Sequence, residues 1–150
     1  MSARSRLHLI AALAVAGLLA GCATGPKYTE VASAIPTLKP GEGRIYFYRT
    51  SALGAAIQPT INLNGTAVGT SITSGFFFVD RPPGSYEVMM GTEVERKLTF
   101  RLDAGQERFV RTSISLGVLV GRPHAELVDA KEAREEISTL SYTGTPLQKK

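Results

Sequence analysis

The sequence predicts a mainly β domain: an antiparallel β-sandwich of about seven strands, of immunoglobulin or transthyretin type, with one C-terminal helix. Three observations carry this. Short runs rich in β-branched and aromatic residues recur from Arg44 to Leu116. Turn formers such as Asn64-Gly65, Pro83-Gly84 and Ala104-Gly105 separate them. A helical apolar period appears only after Asp129.

The strands follow in order. In "RIYFYRT" (44–50), Ile45 and Phe47 point one way, Tyr46 and Tyr48 the other, so the strand is central or covered on both sides. "IQPTINL" (57–63) sets Ile57, Ile61 and Leu63 on one face, and Pro59 marks an edge or a strand start. Asn64-Gly65 then favours a type I′ hairpin turn into "TAVGTS" (66–71). "GFFFVD" (75–80) ends at "RPPG", where Asp80 is expected to bond turn amides. "SYEVMM" (85–90) turns Tyr86, Val88 and Met90 inward, and "RKLTFRL" (96–102) does the same with Leu98, Phe100 and Leu102. "ERFVRTSISL" (107–116) puts Val110, Ile114 and Leu116 on one face. In the helix, Asp129 caps the start, with Glu132 placed to close a capping box. Ala133, Ile137 and Leu140 form its buried stripe, while Glu132, Glu135 and Glu136 form its solvated face.

The chain has 150 residues, enough for one ordinary domain. Residues 1–21 read as a signal peptide: Arg4 and Arg6 give a basic start, and Leu9–Ala20 an apolar core too short to span a bilayer comfortably. Without Arg4 and Arg6 the formal charge falls from +4 to +2, which gives no support for a nucleic-acid partner. The stretch 22–43 holds Pro26, Pro36 and Pro40 without a sustained period and reads as a flexible tether, with a reach of roughly 25 Å. The sandwich is expected over 44–140, and 141–150 as a disordered tail.

Leu19-Ala20-Gly21-Cys22 resembles the bacterial lipobox, whose cysteine thiol accepts a diacylglyceryl group before cleavage on its N-terminal side. The resemblance implies a membrane anchor on Cys22, where two or three acyl chains hold stably and one alone does not. Ala23, rather than an aspartate, follows the cysteine, and by similarity to Gram-negative lipoproteins this implies the outer membrane, facing the periplasm. The segments "GRIYFYR" (43–49), "INLNG" (61–65), "GFFFVDRPPGSYEV" (75–88), "TEVE" (92–95), "AGQERFVR" (104–111) and "ELVD" (126–129) cover most of the remaining domain. Through them the domain resembles an uncharacterised family of bacterial lipoproteins, domain of unknown function 2846. That family has no agreed activity. The rhythm Asn64-Gly65, Gly69, Pro83-Gly84, Tyr86 and Val88 is also similar to small surface β-sandwich modules, although it mostly encodes turns.

Catalytic chemistry finds little purchase. With His8 in the leader, His124 is the one histidine of the remaining chain, which does not make a zinc site of the usual kinds. No Gly-x-Ser-x-Gly elbow supports a serine triad. Glu93 and Glu95, two apart, read as a solvated edge rather than carboxylates across a cleft. The expectation is therefore a non-enzymatic envelope lipoprotein with a binding or structural role, needing no cofactor and no metal, whose partner is an envelope protein or peptidoglycan; the alternatives are a carbohydrate- or peptidoglycan-binding lipoprotein and, after it, an envelope enzyme. Tyr46, Tyr48 and Phe77 are the candidate binding surface, as a Tyr/Phe strip able to stack on sugars or meet a protein. The competing reading buries them between core and helix. Val118, Leu119 and Val120 form either an apolar docking loop or a continued strand.

Overall fold

The computed structural model describes residues 21–91, 97–117 and 121–148. Residues 1–20 of the expected signal peptide 1–21, Glu93 and Glu95, and Val118, Leu119 and Val120 lie outside them. The elements are α1 (Tyr28–Val31), a 3-10 turn (Ala32–Ala34), β1 (Gly43–Arg49), β2 (Thr60–Leu63), β3 (Thr66–Thr70), β4 (Gly75–Arg81), β5 (Gly84–Met90), β6 (Leu98–Leu102), β7 (Glu107–Leu116), β8 (Gly121–Val128), α2 (Ala130–Ile137) and β9 (Ser141–Tyr142).

Two sheets form, one with strand order β8-β7-β1-β4-β9 and one with order β3-β2-β5-β6. Most neighbours are antiparallel, but β1 pairs with β7, and β4 with β9, in parallel. The sheets meet face to face. A Cβ on Gly69 of β3 would run into the Phe77 ring of β4, so this position needs glycine for the sheets to close. The Ser71 and Thr112 hydroxyls bond across the same gap at 2.8 Å.

Strand β1 is buried along its whole length because both of its faces are covered. Ile45, Phe47 and Arg49 face the second sheet. Tyr46 and Tyr48 face α2, which lies on the outer side of the five-stranded sheet with Ala133 and Ile137 buried. Phe109 stacks on Tyr46 at 5.0 Å there, and the Arg134 guanidinium sits over the Phe109 ring. The helix opens as the sequence predicts: Asp129 accepts the Lys131 N–H at 2.9 Å. Glu132 bonds Arg111 at 2.8 Å, so its carboxylate is turned to the sheet rather than back to the cap.

Several expectations need correction. Leu116 is 72 % exposed, at the end of β7 where the strand has run on past its last pairing with β1, at Arg111. Residues 121–128, given no strand by the sequence, form β8 on the edge beside β7, where Pro123 is tolerated. Ser141 and Tyr142 are not a frayed tail; they pair with Gly75 and Phe76. The stretch 22–43 is not a free tether over its first half. The Tyr28 N–H bonds the Leu140 carbonyl at 2.9 Å, the Tyr142 N–H bonds the Pro26 carbonyl at 2.7 Å, and Val31 is in the core. Apolar Tyr28 and Val31 drive this docking, with the Tyr28 ring 5.7 Å from that of Phe76.

Candidate functional site

The sequence places its most specific chemistry at Cys22, and the structure fixes where that residue sits on the domain. The thiol is exposed. The backbone beside it is not free: Cys22 forms a parallel bridge with Thr73, and the Ala23 N–H donates to the Thr73 carbonyl at 2.8 Å. Thr73 is 1 % exposed, so the backbone beside Cys22 is tied to a buried position of the sandwich.

The loop 50–59 borders this point, and it is organised from below by Arg49. That side chain is fully buried and has backbone carbonyls for partners: Leu53 at 2.7 Å, Ile57 at 2.8 Å, Ser51 at 3.2 Å and Ser71 at 3.5 Å. Five guanidinium donors in a fixed fork suit a ring of carbonyls, where a single ammonium does not. Burial pulls the Arg49 pKa down, yet a guanidinium starts so high that it stays charged. The loop in turn touches the residue before Cys22. Gln58 donates to the Gly21 carbonyl at 3.4 Å, and Gly21 lies against Ala55 closely enough that a side chain would clash.

An open groove of about 790 Å³ runs beside Cys22, with Val31, Ala34, Ile72, Tyr142 and Leu147 on its walls. Its size is that of a small-molecule or acyl-chain site. Glu30 and Gln58 are polar groups at its margin.

Tyr46, Tyr48 and Phe77 do not form a surface. They are 8 %, 2 % and 5 % exposed. The Tyr48 hydroxyl donates to Glu136 at 2.6 Å, and Arg111 ties Glu126, Glu132 and Glu136 to the same face at 2.8–2.9 Å. Burial and the Glu136 carboxylate hold the Tyr48 phenol well above its ordinary pKa, and burial does the same to Tyr46 and Tyr142. The network therefore fastens the helix to the sheet; Glu136 belongs to it and is not simply solvated. Asp80 likewise does not bond turn amides. It receives a two-pronged contact from the buried Arg44 at 2.6 and 2.8 Å, and Arg44 also donates to the Pro36 carbonyl and covers the Phe78 ring.

His124 lies 2.5 Å from the Ser115 hydroxyl through Nε2. Glu126, the nearest acidic neighbour along β8, is engaged by Arg111, and neither Ser115 nor His124 lines the groove. Among the described residues no group of three or more His, Cys, Asp or Glu is placed to hold a metal ion. The sequence reading missed the Arg49 cage and the groove walls. One signal was available for them: residues 50–79 contain no Asp, Glu, Lys or Arg.

Residues 39–123 match the family described as a protein of unknown function, DUF2846. The chain belongs to that family. A relative described as an uncharacterized protein of Haemophilus influenzae is 27% identical over 134 residues, which is 86% of this chain and 80% of the relative. No solved structure matches. The DUF2846 match takes in β1–β7 and the start of β8; the Cys22 strap, α2 and β9 lie outside it.

Proposed function

We propose that this DUF2846 protein is a lipid-anchored envelope protein. Its diacylglyceryl group sits on Cys22, and its β-sandwich plays a binding or structural role without catalysis. One observation carries the reading: the sequence puts the chain's single cysteine directly behind a basic start, an apolar run and Ala20-Gly21, and that thiol is exposed at the surface of the domain. Ala23 after the cysteine favours the outer membrane, facing the periplasm. The groove beside Cys22 is a candidate ligand site. A sugar- or peptidoglycan-stacking role through Tyr46 and Tyr48 has lost its basis, since both rings are buried.

The test is metabolic labelling with palmitate. The native chain takes up label, and Cys22→Ala takes up none and keeps its leader. Label on the alanine variant would refute the assignment.

A further inference from the structure

We infer that the end of the sandwich carrying Cys22 is itself a membrane-contact face, with Leu53, Ile57 and Leu116 entering the bilayer beside the anchor. The inference rests on the lipid-anchor reading and adds a second contact to it.

The topology defines this end. β1 and β7 run parallel and finish there at Arg49 and Leu116, while β4, β8 and β9 begin there at Gly75, Gly121 and Ser141. Cys22 bridges to Thr73 two residues before β4 starts, so the anchor belongs to the same end. The loop 50–59 spans it. One flank of the loop meets Gly21 through Ala55 and Gln58; the other meets β7 and β8, where Gly54 packs on Ile114 and Ile57 packs over Gly121.

Two independent features mark this end. The first is apolar exposure. Leu53 is 50% exposed, Ile57 38% and Leu116 72%, and of the exposed large apolar residues only Leu127 lies elsewhere among the described residues. The second is charge. Residues 21–26, 50–59, 71–75, 113–117 and 138–148 contain no Asp, Glu, Lys or Arg. Arg49, at the foot of the loop, is buried; the charged residues bordering this end are Arg122, beside Gly121, Lys27, which bridges to Ser141, and Glu30, on the wall of the groove beside Cys22. The opposite end is dense in charge, with Glu42, Arg81, Asp103, Glu107 and Asp129.

An ionised group costs free energy on entering the headgroup–acyl boundary, whereas leucine and isoleucine gain by it. An end poor in charge, with projecting aliphatic side chains, therefore fits a lipid surface better than it fits water. The position of Cys22 selects that occupant over a protein partner, because the acyl chains draw this end, and no other, onto the bilayer. The anchor backbone is bonded to Thr73, so the sandwich stands directly on the membrane instead of at the end of a long leash.

The chain has no native tryptophan, so a single introduced indole reports its own surroundings. The full chain carrying Leu53→Trp or Leu116→Trp, isolated from membranes of the expressing cells, is reconstituted in phosphatidylethanolamine/phosphatidylglycerol vesicles with brominated acyl chains. Ala104→Trp, at the charged end, is the control. All three positions are exposed, so the fold tolerates the change. Both test indoles should lose roughly half or more of their emission and shift to the blue, while the control keeps its emission, as expected for side chains ~5–10 Å deep. Vesicle-bound protein whose test indoles match the control would overturn the membrane-contact face and leave the lipid anchor standing. Protein that does not float with the vesicles would overturn both. A blue shift that follows protein concentration without quenching by brominated lipid would assign the face to self-association, against the inference.

Discussion

The amide of Ala23 donates to the carbonyl of Thr73 at 2.8 Å, which pins the residue after Cys22 to a buried position of the sandwich. The proposed anchor point is therefore continuous with the fold. Thr73 is held in turn by its hydroxyl bond to Ser51, and Ser51 by Arg49. The backbone beside Cys22 and the loop 50–59 therefore share one set of contacts.

The Arg49 cage is the first place to test that coupling. Arg49→Ala strips several carbonyls of their donor at once and should cost about 3 kcal/mol of stability. Hydrogen exchange should quicken across 50–58. Arg49→Lys should recover only part of both, because one ammonium does not reach the carbonyls of Leu53 and Ile57 together with that of Ser51. Denaturant unfolding and amide exchange measure the two effects. Wild-type protection of the loop in the alanine variant would show that the cage does not organise it.

Arg44 and Asp80 offer a contrasting case, a buried cation with a carboxylate partner. Asp80→Asn leaves Arg44, 4% exposed, without its counter-charge and should destabilise by about 3–5 kcal/mol. The double variant Arg44→Met/Asp80→Asn should be less damaged than the single one, since a methionine is at home on the Phe78 ring. Equal or greater loss in the double variant would contradict this account of the pair.

The raised phenols predict an alkaline limit. A phenol whose folded pKa lies above its ordinary value of about 10 stabilises the fold fully below that pH. Its contribution is lost as pH rises through the folded pKa. Tyr46, Tyr48 and Tyr142 all have this sign. Their ionisation should accompany unfolding, seen as a cooperative rise in tyrosinate absorbance that coincides with loss of the far-ultraviolet signal. Tyr48→Phe should reduce the amplitude of that step and cost about 1–2 kcal/mol at neutral pH through the lost Glu136 bond. Titration of all three phenols while the fold persists would go against it.

Much of this architecture is readable in the chain. The strand "RIYFYR", apolar on both faces, is β1, and Phe76, Phe77 and Phe78 divide between the two covered faces of β4. The helix cap at Asp129 and the stripe Ala133, Ile137 and Leu140 appear as the period predicts. Other features leave no periodic trace. β8 carries Pro123 and several polar residues because an edge strand is held from one side only. The parallel pairings of β1 with β7 and β4 with β9 join segments far apart in sequence, and no local pattern encodes them. The docking of Tyr28 and Val31 depends on a surface that exists only after the sheets have closed. The aromatic strip misleads for a related reason: alternation shows that both faces of β1 are apolar, but a helix some 80 residues later decides that Tyr48 is covered.

The central claim is that Cys22 is the lipidated first residue of the mature protein. Intact-mass and N-terminal peptide analysis of the protein isolated from membranes tests it most directly. The account predicts a chain that starts at Cys22, lacks residues 1–21, and carries a diacylglyceryl group on the thiol with an acylated α-amine. An unmodified Cys22, or a mature end at any other residue, would contradict it.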